Sequence, residues 1–248
     1  MLNRLAMAGH AMTMQMAKME TITNNLANIS TKGFKREELF VRELKKTVSE
    51  LDGSGFSEET SVPYVGARID FSQGPLEGTN RPLDVAISGS GLFSVETPDG
   101  EAYTRDGRFT LNQEGILVTS DGHPVLGEGG PIEINVQENF ATDIVINGSG
   151  EILLDGNIID KFKTVSTENP ADFYKIGSNL FQLKPGVEAT ALETVEVKQG
   201  FLESSNVDSI TEMVTMIDLM HQYEMAQKMI KSQDAILGKA ANEIGRVG

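Results

Sequence analysis

Apolar positions recur at helical spacing at both ends of this chain and at strand spacing between them. Leu5, Met12, Met19 and Leu26 are spaced by seven, with Ala8 and Ile22 three residues after the first and third. That heptad seam predicts an amphipathic helix from about Asn3 to Asn28, weakened at Gln15 and widened by Gly9 and Met16. Asn28-Ile29-Ser30-Thr31-Lys32-Gly33 then supplies turn residues, and Gly33 is suited to the positive φ that ends a helix. A second helix is predicted from about Val207 to Ile244, capped by Asn206 or Asp208. Ile210, Met213, Val214 and Ile217 form its first stripe, and Met216, Met220, Tyr223, Ala226, Ile230, Leu237 and Ala241 continue it. Helices of this kind are marginal alone in water, so each needs a partner for its apolar stripe.

Between the helices the period shortens. Leu83–Ile87, Leu92–Val95, Ala102–Thr104, Phe109–Leu111, Ile116–Val118 and Ile132–Ile134 read as short strands. Asp99-Gly100, Asp106-Gly107, Glu114-Gly115, Asp121-Gly122 and Asp155-Gly156 fall where hairpin turns are expected. The interval from Lys35 to Leu51 fits either a charged helix or an extended arm, and Gly53-Ser54-Gly55 reads as flexible. The expected fold is therefore a mainly β central domain flanked by N- and C-terminal α-helices. Its divisions are 1–34 (helix and signature turn), 35–75 (extended arm or linker), 76–204 (all-β domain) and 205–248 (helix).

Composition sharpens this partition. All 11 methionines lie in 1–19 or 213–229, whereas all 8 prolines and 20 of the 25 glycines lie between residues 53 and 200. Proline and glycine punctuate strands and break helices, which supports a β middle between helical ends. Of the net charge of −15, residues 49–204 carry −17, against +4 for 1–48 and −2 for 205–248. The repulsive charge is thus confined to the middle, leaving the ends nearly free to associate. A polyanion lacks the basic face that nucleic acid requires. No stretch approaches the roughly 18–20 apolar residues of a membrane span. Polar Thr13, Gln15 and Lys18 break any signal-peptide core, so export without a cleaved leader is expected.

The catalytic inventory is empty. The absence of cysteine excludes disulfides, thiolate metal sites and thiol catalysis. His10, His123 and His221 are far apart; His123 sits in a turn, and the other two edge the predicted helical stripes. Gly89-Ser90-Gly91 precedes a strand-like run, not a helix N-terminus that holds pyrophosphate, so it reads as a turn. The 26 carboxylates of residues 49–204 single out no acid/base pair, and no Asp-x-Asp-x-Asp-Gly calcium loop occurs. At helical spacing the methionine stripes read as core or interface, not as a copper site or a peptide groove. No catalytic residue, cofactor or metal is expected.

Several blocks resemble bacterial flagellar rod and hook proteins, in the family's order along the chain. Asn24-Asn25-Leu26-Ala27-Asn28 and Thr31-Lys32-Gly33-Phe34-Lys35 are similar to the family's N-terminal signature. Leu83, Asp84 and Val85, then Gly89-Ser90-Gly91-Leu92-Phe93, then Tyr103-Thr104-Arg105-Asp106-Gly107 follow. Gly115-Ile116-Leu117-Val118 and Gly200-Phe201-Leu202-Glu203 with Ser205, Asn206 and Val207 come next, Glu212-Met213-Val214 and Met216-Ile217 complete the set, and about 135–195 matches nothing sharply. The resemblance implies a non-enzymatic subunit of the basal-body rod, the shaft that crosses the periplasm. It also implies export through the flagellar type III apparatus, and terminal helices that pair as a coiled coil in the assembled filament. Partners would be other axial proteins and further copies of the chain, with no small-molecule substrate. The contacts would come from Leu5, Met12, Met16, Met19, Ile22 and Leu26 at one end. Ile210, Met213, Ile217, Met220, Tyr223, Ile230 and Leu237 would supply them at the other. Gly122–Ile132 and the Gly-Phe-Leu-Glu at 200–203 resemble the proximal-rod branch, whereas Gly-Phe-Lys-Arg at 33–36 and Tyr-Thr-Arg-Asp-Gly resemble the distal one; the proximal branch is favoured. The reading from another class is a secreted surface adhesin whose β-domain binds a ligand.

Overall fold

The computed structural model describes residues 2–47, 59–134, 144–192 and 195–244. Two compact units emerge, one formed by Met1–Leu26, Glu37–Arg68 and Asp208–Gly248, the other by Ala27–Arg36 and Ile69–Val207.

The first unit contains both helices and one strand pair. Helix α1 spans Leu2–Ala27, and Thr13, Thr21 and Thr23 return their hydroxyls to carbonyls four residues earlier, which satisfies them inside a helix. Strands β1 (Glu37–Thr47) and β2 (Glu59–Ile69) pair with each other, so extended chain replaces the charged-helix alternative in the described part of Lys35–Leu51. Gly53-Ser54-Gly55 lies outside the described residues. Helix α2 spans Ser209–Ile244. Asp208 is its cap: one carboxylate oxygen accepts from the backbone N–H of Ile210 at 2.9 Å and of Thr211 at 3.4 Å. Those donors, Thr211 first, hold the Asp208 carboxyl below the usual carboxylate range. Gln15 Nε2 donates to Gln222 Oε1 at 3.5 Å, between the two helices.

Among the described residues the second unit holds sixteen short strands. In chain order they are β3 (Leu76–Gly78), β4 (Val85–Ser88), β5 (Leu92–Thr97), β6 (Gly100–Thr104), β7 (Thr110–Leu111), β8 (Leu117–Val118), β9 (Leu126–Gly127) and β10 (Gly130–Pro131). There follow β11 (Ile144–Ile146), β12 (Glu151–Leu154), β13 (Asn157–Lys161), β14 (Thr164–Val165), β15 (Phe173–Gly177), β16 (Leu180–Leu183), β17 (Glu196–Gln199) and β18 (Phe201–Glu203). The central sheet runs β14-β5-β6-β16-β15, antiparallel throughout. Its register sets Phe93 opposite Thr104, Ser94 opposite Tyr103 and Val95 opposite Ala102. Alternate residues therefore face opposite ways, and both faces are covered. Phe93, Val95 and Ala102 enter one core with Phe109 and Phe162, while Leu92 and Tyr103 enter another with Phe173 and Phe181. Burial on both sides is why this strand reads as a continuous apolar run. In the first core Phe93 meets Phe109 and Phe162 edge-on, with centroids 5.2 and 5.3 Å apart.

The turns divide into two kinds. Asp155 and Gly156 both have positive φ and join β12 to β13 as a hairpin, as their sequence predicts. Asp106-Gly107 is no hairpin. Gly107 instead lets two backbones touch, since the Val85 N–H donates to its carbonyl at 3.0 Å and an added Cβ would lie 1.6 Å from the Val85 oxygen. Ile132–Ile134 also departs from the expected strand. Ile132 and Ile134 are fully buried, yet only Glu133 makes a bridge, to Ile116.

Candidate functional site

The signature segments from the two ends of the chain meet inside the second unit, around a buried carboxylate. Glu203, at the end of β18, places one oxygen 2.6 Å from Lys35 Nζ and the other 2.6 Å from Arg105 Nε. All three side chains are about 1% exposed. Backbone groups complete the cluster. Lys35 donates to the Ser72 carbonyl at 2.6 Å, Gly74 N–H donates to Glu203 at 2.8 Å, and the Arg105 guanidinium donates to the carbonyls of Gly89 and Gly91. The glycine-rich fragment thus serves as a carbonyl cradle for a guanidinium, in place of a phosphate loop.

The electrostatics follow first from burial. Burial pushes both Lys35 and Arg105 below their ordinary values, and Glu203 pushes back on each. A buried triad of this kind contributes little net stability relative to an apolar replacement, but losing one member strands the others. Its effect here is positional: it ties residue 35 to residues 105 and 203.

Backbone contacts reinforce the same clasp. Gly33 N–H donates to the Glu203 carbonyl at 2.8 Å. Gly33 has φ +69° and an added Cβ would lie 2.4 Å from Asp106 N, so no other residue fits. The Asn206 amide accepts from Arg36 N–H at 2.8 Å and donates to the carbonyls of Asp70 and Ser72 at 2.9 and 3.1 Å. Asn179 donates to the Lys32 carbonyl at 2.8 Å, and its own carbonyl accepts from the Thr104 hydroxyl at 3.0 Å. On the surface, Lys32 pairs with Glu77 and donates to Ser204 at 2.8 Å, holding the Glu77 carboxyl below the usual range. In the first unit, Asn25 is buried and exchanges two hydrogen bonds with the Glu37 backbone, at 3.0 and 3.1 Å, which fixes the path from α1 into β1.

Among the remaining signature residues, Phe34, Asp84, Val85, Tyr103, Thr104, Ser205 and Val207 are buried, and Leu83 packs on the first core. Asn24 and Ala27 lie exposed on α1, while Leu26 and Asn28 are half-buried. Thr31 N–H closes the signature turn on the Asn28 carbonyl at 3.1 Å.

The helical seams divide. On α1, Ile22 is buried, Met12, Met19 and Leu26 are half-buried, and Met16 is exposed. On α2, Ile210, Met213, Val214, Ile217 and Met220 lie exposed, with Met225, Met229 and Ile236. Tyr223 and Ile230 are half-buried and belong to the face of Leu219 and Glu212, which are buried. Spaced at 100° per residue, these two faces are opposite. The side chains of Leu5, Leu237 and Ala241 lie outside the described residues.

Sequence reasoning singled out Arg105 but not Lys35, Glu203, Asn179 or Leu219 as site residues. Lys35 and Glu203 stand inside the signature blocks, each directly after an apolar residue, Phe34 and Leu202, and that placement is the signal that could have found them. Among the described residues no cluster of three or more His, Cys, Asp or Glu is placed to hold a metal, and no helix is long and apolar enough to cross a membrane.

Comparison with known proteins matches the same segments. Residues 5–35 match the family described as flagella basal body rod protein, 86–154 the flagellar hook protein FlgE/F/G D1 domain, and 198–243 the flagellar basal body rod FlgEFG protein C-terminal family. The chain is 36% identical to the flagellar basal-body rod protein FlgF of Caulobacter vibrioides, covering 93% of each. It is equally identical, 36%, to the rod protein FlgG of Borreliella burgdorferi over 98% of each, and 34% identical to FlgG of Buchnera aphidicola over 91% of this chain and 93% of that one. With three family models matched in order and similarity over nearly the full length, the chain belongs to the family of flagellar basal-body rod proteins.

Proposed function

We propose that this subunit polymerises through α1 and α2, whose open apolar faces are covered by sister molecules and neighbouring axial proteins to form the torque-bearing shaft. As a rod-family protein the chain is a structural component of the flagellar basal body, and other axial proteins are its partners. The supporting observation is the outward face of α2: Ile210, Met213, Val214, Ile217 and Met220 stay exposed in the single chain. Burying such side chains is worth roughly 1.5–3 kcal/mol each, a strong drive for neighbours to cover them. A head-to-tail contact that does not close into a ring generates a helical filament.

The reading extends to the periplasmic part of the shaft, to passage through the type III export apparatus, and to pairing of the helices as a coiled coil. Gly122–Ile132 and Gly200–Glu203 favour the proximal segment, the pairwise identities being equal for the two kinds of relative. The adhesin reading is set aside, because the relatives matched along nearly the whole chain are rod proteins.

The test is genetic. Cells expressing Met12→Asp or Ile217→Asp in place of the native chain should be non-motile, with basal bodies halted at the rod stage. Normal rods with either substitution would remove the helices from the interface.

A further inference from the structure

We infer that the exposed methionines of α2, Met213, Met220, Met225 and Met229, with Met16 of α1, are an oxidant-sensitive set, and that their conversion to sulfoxides takes a free subunit out of assembly. The inference rests on the assembly reading above and adds a chemical control to it. Methionine is absent from residues 20–212, and the chain has no cysteine, so no thiol consumes an oxidant first. The five named thioethers are 48–61% exposed. Met12, Met14, Met19 and Met216 are only half-buried neighbours on the same helices and provide an internal control.

The step is a two-electron oxygen transfer. A sulfur lone pair attacks the outer oxygen of a hydroperoxide, the S–O bond forms as the O–O bond breaks, and the leaving oxygen takes up the proton. With hydrogen peroxide the products are methionine sulfoxide and water. The sulfoxide is polar and chiral where the thioether was apolar and adaptable, and reductases specific for each epimer reverse it. Met213 and Met220 alternate with Ile210 and Ile217 along one face. A sulfoxide buried there without a hydrogen-bond donor costs free energy in place of contributing it. Covered methionines in a finished rod are shielded, so the chemistry acts on subunits not yet incorporated.

Two measurements test this. Full-length purified protein is treated with hydrogen peroxide, and sulfoxide formation is followed by peptide mass spectrometry. The five exposed methionines should oxidise several-fold faster than Met12, Met14, Met19 and Met216. Equal rates, or faster oxidation of the half-buried set, would overturn the assignment. In cells, a quadruple Met→Gln variant at 213, 220, 225 and 229, with polar side chains of similar length, should lose motility. The quadruple Met→Leu variant at the same positions should swim normally and, once purified, keep its helix content by circular dichroism after peroxide treatment. Wild-type motility in the Gln variant sinks the oxidation proposal while Ile217→Asp still reports on the interface. Wild-type motility in both sinks the assembly reading itself.

Discussion

The β unit and the helical unit solve opposite problems with similar amounts of apolar sequence. In the β unit the apolar residues are consumed internally: Val85, Phe93, Val95, Phe109 and Phe181 have no exposure at all. It even seals one ionic cluster, with Lys35, Arg105 and Glu203 satisfied by one another and by backbone carbonyls. In the helical unit, α2 spends one face on Leu219 and its neighbours and leaves the other open, with Ile210 69% exposed. A chain that folds as a closed body carrying an open helix has separated the part that must be stable from the part that must associate.

Three measurements break or sharpen that contrast. The largest effect is expected for Glu203→Ala, which leaves two cations buried without a counter-charge. It should destabilise the β unit by about 3–5 kcal/mol in urea unfolding followed by circular dichroism. A loss under about 1 kcal/mol would mean that the clasp is wet or dispensable.

Next comes the alkaline limit of the β unit. Burial, aided by the nearby Glu101 charge, pushes the Tyr103 phenol up to about 12 from an ordinary value of 10. A folded value above the unfolded one means that this contribution is complete below pH 10 and is lost as pH rises through about 12. Spectrophotometric titration at 295 nm should show one tyrosine ionising with unfolding, and Tyr103→Phe should remove that step. Ionisation of Tyr103 near pH 10 with the fold intact would show the second core to be open to water.

The smallest effect is expected at Ile217→Asp. In isolation the variant should unfold within about 0.5 kcal/mol of the parent, because the site is exposed. A large loss would show that the outward face already packs within the single chain, and the contrast between the units would disappear.

Much of this architecture was legible along the chain. The seven-residue spacing from Leu5 to Leu26 and the proline-free stretch after Val207 place both helices within a few residues of their observed bounds. The doubly apolar Leu92-Phe93 marks a central strand, and Asp155-Gly156 marks the hairpin between β12 and β13. The faces of α2 were harder to read. Its sequence carries apolar residues nearly all round, so periodicity alone places Met213 and Tyr223 in one seam, although they point in different directions. Asp106-Gly107 misled for a related reason: a glycine needed for close approach to Val85 has the same local signature as one needed for a turn.

Local patterning determined which segments are helical, which are extended and where the chain's charge is concentrated, because those properties depend on neighbours a few positions away. Tertiary structure alone decided that Lys35, Arg105 and Glu203 share one dry site, and that Leu219 turns inward while Ile217 turns out. Ion pairing and burial depend on what arrives from 98 to 168 residues away along the chain, and no short-range period carries that information.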